Sequence, residues 1–277
     1  MTPVLRSEAL KALTVRSWWT LALPVAALAI MINIFGGVFG AAVGSGLDEG
    51  LPGVLLASLA YSLSLTSVFA AVYGAVSATA EFRHRTVSTT YLTGGRHPVL
   101  LAKAAVAAGV GAGYALLAGV LGLFAGLLGQ GAARLPPVGL LLGVIAFGIA
   151  VCAVWGALGV AVGTLVTNQA GAVVSLLVYL LVAENLIALV LRSGADDDRA
   201  PGAVARLSSF LPGNATDIAL YDLPAHELGG RFGTSLVEGL AGVSGPPPGW
   251  GALLVLLVWA GAGMALAWVV GDRRDIT

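Results

Sequence analysis

Few residues of this sequence can do chemistry, and their positions are informative. Glu81-Phe82-Arg83-His84-Arg85-Thr86, followed by Arg96, His97 and Lys103, gathers acidic and basic side chains between two apolar runs. Glu184, with Asn185 beside it, interrupts a third apolar run. Catalytic arrangements are missing: neither Gly-x-Ser-x-Gly nor His-Glu-x-x-His occurs, and His84, His97 and His226 are too scattered for a metal centre and read as solvated surface residues. The one cysteine, Cys152, lies in an apolar stretch and reads as a buried hydrophobe. A phosphate-binding loop would end in Gly-Lys-Ser/Thr, but the two lysines, Lys11 and Lys103, follow Leu10 and Ala102.

The elements that must hold these residues follow from composition. Of 277 residues 58% are hydrophobic and 10% charged, and the mean hydropathy is +0.94, so too little polar sequence remains for a water-soluble catalytic domain. Net charge is +0, which argues against nucleic acid as a partner. A membrane crossing takes about 20 apolar residues. Six runs qualify: 18–43, 54–79, 104–129, 138–166, 170–191 and 250–271, the fourth and fifth separated by the polar Thr167-Asn168-Gln169. The expected fold is an all-α integral membrane protein forming a single transmembrane domain over 1–277. The first run, about 26 residues, exceeds the usual signal-peptide core of about 7–15 and reads as a retained helix.

An even number of spans puts both termini on one side. Arg6, Lys11, Arg16, Arg83, Arg85, Arg96, Lys103, Arg273 and Arg274 fall on that side, nine of the fourteen basic residues. Lys and Arg accumulate in cytoplasmic segments near helix ends, so both termini are expected in the cytoplasm. Trp18, Trp19 and Trp250 suit the interfacial aromatic belts. Twelve Arg against two Lys, with abundant Ala and Gly, suggest a high-GC bacterial gene and a bacterial plasma membrane; Asn214-Ala215-Thr216 is then a chance match to the glycosylation pattern.

Before the first span, 1–17 is too charged to insert, yet Leu5, Ala9, Ala12 and Leu13 share one helical face and Ser7, Lys11 and Thr14 the other. This spacing predicts an interfacial elbow helix on the inner leaflet, its basic side chains meeting anionic lipid. In the 80–103 loop, Thr86 to Leu92 makes two helical turns, Gly94-Gly95 ends them, and Pro98 suits the first turn of the next helix. Such a cross-piece, with β-branched Val87, Thr89 and Thr90, is too short to persist alone and calls for a protein partner. The 192–249 segment is expected outside the membrane as a long extracytoplasmic connection.

In layout the chain resembles the type 2 permeases of ATP-binding-cassette transporters, the six-helix class that exports drugs, polysaccharides and lipids. The resemblance is sharpest where Glu81, Arg83, Thr86, Arg96 and Lys103 follow one another in that class's order, although Arg85 stands where Gly is common and Gly94-Gly95 where Pro-Ser is common. Glu184 in the fifth span, then Phe210-Leu-Pro-Gly-Asn214 in the long outer segment, is a second similarity. The resemblance implies a non-catalytic subunit coupled through 81–97 and the elbow to two copies of a separate ATPase, which would carry ATP and Mg. It further implies a second permease copy, simplest as a homodimer, and an exported substrate whose identity the sequence does not reveal. Glu81, Arg83, Arg85, Thr86, Arg96 and Lys103 are the coupling candidates.

Two roles remain open for Glu184, since an ionisable residue within a span is costly. It either faces a wet outer vestibule or bonds to Asn185 or a neighbouring helix, or, with Asn185, it lines the substrate route, selecting cationic or hydroxylated cargo or holding a gate between two permeases. Asn33 and Gln130 read as helix–helix hydrogen-bonding residues, and the 39 glycines as close-packing positions. A secondary carrier would show paired inverted halves, which are not visible; a membrane scaffold or immunity protein is the other alternative.

Overall fold

A computed structural model describes residues 2–44, 52–84, 86–131, 136–193 and 202–273, and among them the regular structure is entirely helical. In chain order α1 (Thr2–Thr14) leads into α2 (Ser17–Gly44), α3 (Pro52–Arg83), the short α4 (Val87–Gly94), α5 (Arg96–Gln130) and α6 (Val138–Val166). Next come α7 (Gln169–Val178) and α8 (Glu184–Arg192), joined by a π turn over Tyr179–Ala183. After α9 (Ala203–Arg206), α10 (Pro212–Gly229) and α11 (Gly233–Ala241), the chain closes on α12 (Gly249–Arg273). Six helices, counting α7–α8 as one, are long and apolar enough to cross a membrane. The chain is a multi-pass membrane protein.

The helices overrun the apolar runs at one end. α3 continues to Arg83 rather than stopping at 79, and α5 begins at Arg96 rather than 104. Hydropathy marks only what lipid can cover, whereas a helix satisfies its own backbone beyond the lipid as well. The 80–103 loop therefore contracts to α4 and two short joints. Gly95, at φ +74°, makes the turn between α4 and α5.

Glycine sets the spacing of the bundle. A Cβ on Gly74, Gly159 or Gly111 would strike the carbonyl oxygen of Gly156, Ala71 or Cys152, so α3, α5 and α6 meet backbone to backbone. Trp155 and Tyr73 are the largest fully buried side chains, Trp155 reaching from α6 to Thr216 of α10 and Tyr73 of α3 lying edge-on to Tyr114 of α5. α2 docks on α5 in the same manner, Gly37 against Gly126. Asn33 is fully buried there and binds α3, donating to Ser62 Oγ at 3.1 Å and accepting from Ser58 Oγ at 2.9 Å.

The 192–249 segment does not stay at the bundle's end. The start of α10 and the turn leading into it touch Trp155 and Trp259, residues in the middle of α6 and α12, while its far end brings Leu228 to Gly53 at the beginning of α3. α10, about 27 Å long at 1.5 Å per residue, thus runs beside the spans from mid-bundle outward. Its buried residues mix small Ala215, Ala219 and Ala225 with Ile218, Leu220 and Tyr221 and the polar Asn214 and Thr216, and they pack between α3, α6 and α12.

Candidate functional site

At the end that carries α1 and α4, four charged side chains converge from three helices. Lys103 Nζ of α5 donates to Glu8 Oε2 of α1 at 2.8 Å and to Glu81 Oε1 of α3 at 2.9 Å. Lys11 Nζ of α1 donates to the same Glu81 Oε1 at 2.8 Å and to Glu8 Oε1. Glu8, Glu81 and Lys103 are all less than 9% exposed. Two carboxylates and two ammonium groups balance, which is the condition for burying charge at all. Burial lowers the proton affinity of Lys11, but hydrogen bonds and charges from Glu8 and Glu81 more than offset this, so its pKa stands above the usual 10.5.

Glu81 and Lys103 are thereby brought together, and each flanks α4. Thr86 begins α4, its N–H donating to the Glu81 carbonyl at 3.0 Å, and its side chain is exposed. Arg83 reaches past the quartet to Gln169 Oε1 at 3.2 Å, at the start of the fifth span. Arg96 serves the sixth: its Nη1 donates to the Gly271 carbonyl at 2.7 Å, capping the C-terminal end of α12, where a cation is favoured. His97 is not simply solvated; its ring stacks on Trp268 at 3.7 Å between centroids, and Nε2 lies 2.8 Å from Asp272 Oδ1. Arg85 lies outside the described residues. α4 itself packs mainly on the start of α5 and leaves Leu92 88% exposed.

Glu8 escaped the reading of the sequence. On an interfacial helix a carboxylate between Ser7 and Ala9 looks solvent-facing, and only the arrival of Lys103 from 95 residues away gives it a buried partner. Its spacing to Lys11, three residues on, was the available signal.

In mid-bundle, Glu184 meets the Phe210–Asn214 stretch. The carboxylate is 3% exposed, and Oε1 accepts from the Asn214 N–H at 2.7 Å, one of the N-terminal amides of α10 that lack a helical partner. Gly213 makes room, since a Cβ there would lie 2.8 Å from Glu184 Oε2. The π turn explains how Glu184 faces inward. Ala172, Leu176, Glu184 and Ala188 are buried, and the eight-residue step from 176 to 184 matches two turns only if one is widened by about a residue. Asn185 turns outward, exposed, with Nδ2 bonded to the Leu181 carbonyl at 3.1 Å.

Other side chains pin the same helix. Trp155 Nε1 donates to Thr216 Oγ1 at 2.7 Å, Trp259 Nε1 to the Phe210 carbonyl at 2.8 Å, and Ser64 Oγ to Asp217 Oδ1 at 2.6 Å. Asp217 was not foreseen because its segment reads as an outer loop, where an aspartate needs no explanation. Asn214 is buried, so the glycosylation pattern it begins is not exposed. Compared with protein-family models and with curated proteins, the chain matches none.

Proposed function

We propose that this chain is the membrane-spanning permease subunit of an ATP-driven exporter, forming the cargo route and moved by separate ATPase subunits. The observation that carries this reading is the mounting of α4. Its two joints are fixed to the bundle, one through Glu81 to Lys103 and α1, the other through Arg96 to the end of α12, while Leu92 stands 88% exposed with nothing among the described residues to cover it. A short helix braced this way passes a push to three spans and the elbow at once, and it offers a partner an apolar contact.

The distribution of basic residues supports a cytoplasmic α4 end, with both termini there. The fifth span supports a second permease copy. Leu181, Val182, Leu186, Leu189 and Val190 are exposed on it together with Asn185, whose amide is poorly matched to lipid and well matched to a like helix. ATP and Mg belong to the ATPase partner, expected in two copies around a homodimeric permease in a bacterial plasma membrane.

The test is co-expression with an ATPase encoded beside this gene. Wild-type permease is expected to co-purify with it and to alter its hydrolysis rate, whereas Leu92→Asp retains the fold and loses both. A permease that transports alone, or whose ATPase association ignores Leu92→Asp, refutes the proposal.

A further inference from the structure

Between α3, α8 and α10 lies a cavity of about 150 Å³, bordered by Ser64, Leu65, Leu181, Glu184, Asn185 and Asp217. Two carboxylates, from Glu184 and Asp217, share it, and the described residues lining it include no Lys, Arg or His. Glu184 Oε1 is bonded to the Asn214 N–H of α10, while Oε2, buried in the wall, has no well-formed hydrogen bond, the carboxylate's further polar neighbours being the Gly213 N–H and the Tyr179 hydroxyl. Asp217 receives one hydrogen bond, from Ser64. Compare the quartet at the α4 end, where each buried carboxylate has an ammonium beside it. Here the acidic charge has no counter-charge among the described residues, and in a low-dielectric setting that costs several kcal/mol unless a proton or a cation supplies it.

The walls narrow the choice of cation. A hard metal ion asks for six or more oxygens, while here the hydroxyls of Ser64, Ser67 and Thr216 are engaged with Asp217, the Ser64 carbonyl and the Pro212 carbonyl, and Leu65, Val68, Leu180, Leu181 and Trp155 make up much of the remaining lining. A carbon-clad cation suits this lining, its charge beside the carboxylates and its methyl or methylene groups on the apolar side. About 150 Å³ holds a head of that kind and little more. Leu181, which borders the cavity, is 63% exposed on the fifth span, so a tail would lie along that apolar face, at the edge of the proposed contact between copies.

We infer that the cavity binds the head of a monovalent organic cation bearing a hydrocarbon chain, such as an alkylamine or alkyl quaternary ammonium, between Glu184 and Asp217. This rests on the exporter reading only in treating the bound cation as cargo; binding itself needs no ATPase.

The experiment uses the full chain in nanodiscs of zwitterionic lipid, with radiolabelled dodecyltrimethylammonium as the probe and dodecyl sulfate and an uncharged dodecyl glycoside as competitors. Saturable binding is expected, displaced by dodecylamine and not by the other two. Asp217→Asn should weaken it roughly tenfold or more, the loss of one charged partner, and Glu184→Gln likewise. Because Glu184 also holds α10, Asp217→Asn is the deciding variant, each protein being checked for an unchanged melting temperature. Equal binding by wild type and Asp217→Asn, or displacement by dodecyl sulfate as readily as by dodecylamine, overturns the inference. Cation binding without ATP-dependent export would leave the site standing and refute the exporter reading; ATP-dependent export of other compounds without cation binding would do the reverse.

Discussion

Lys103 shows how much depends on one side chain. It sits between Glu8 and Glu81 in the buried quartet, so Lys103→Met leaves two carboxylates with only the half-exposed Lys11 between them. Removing one partner of a buried ion pair typically costs about 3–5 kcal/mol, and thermal unfolding of the purified protein should register a loss of that order. A fall below about 1 kcal/mol would mean that water reaches the quartet freely. Lys11 behaves differently because its side chain is 46% exposed. Its pKa is raised above 10.5, so its contribution is complete below that value and is lost only as pH climbs through the folded-state titration. The destabilisation caused by Lys11→Met should therefore be the same at about pH 7 and about pH 9. Gly213 belongs to the same scale. Gly213→Ala places a methyl group against the Glu184 carboxylate and should lower stability by about 1–3 kcal/mol, through a displaced, underbonded buried acid. An unchanged melting temperature would show that Glu184 does not hold α10.

Among the elements, α10 and the α7–α8 span depend on each other. Glu184 caps α10, and the π turn just before it points Glu184 inward. Inserting one alanine after Val178 rotates the following residues by about 100°. The expected result is Glu184 turned toward the lipid-facing side, α10 released and its N-terminal amides exposed, read as faster hydrogen exchange over 212–217. Protection equal to that of the wild type would assign the docking of α10 to Trp155, Trp259 and Ser64 alone. α4 was legible as two helical turns ended by glycine, because Gly94-Gly95 and Pro98 are local signals. The lengths of α3 and α5 beyond the lipid were not legible, since charged residues mark where apolar cover ends and leave helix continuation undecided.

For the whole molecule, topology is the property most open to direct test. Cys152, the one cysteine of the sequence, is fully buried, so single-cysteine variants label against a quiet background. Cysteines replacing Ser7 or Leu92 are expected to react only from the cytoplasmic face, and one replacing Glu227 only from the opposite face, as read with a membrane-impermeant maleimide on intact cells and inverted vesicles. The six spans and the all-helical class could be read from the sequence alone, because the bilayer imposes a length and a hydropathy on each crossing, and those are properties of contiguous residues. Glu81, Lys103 and Glu184 stood out for the same reason, as charges interrupting or ending apolar runs. Glu8 and Asp217 did not, since each gains meaning only from a residue 95 or 153 positions distant, Lys103 and Ser64 respectively. A buried polar side chain is explained by the group it bonds, and in this protein that group reaches it through the packing of helices that are far apart in the chain.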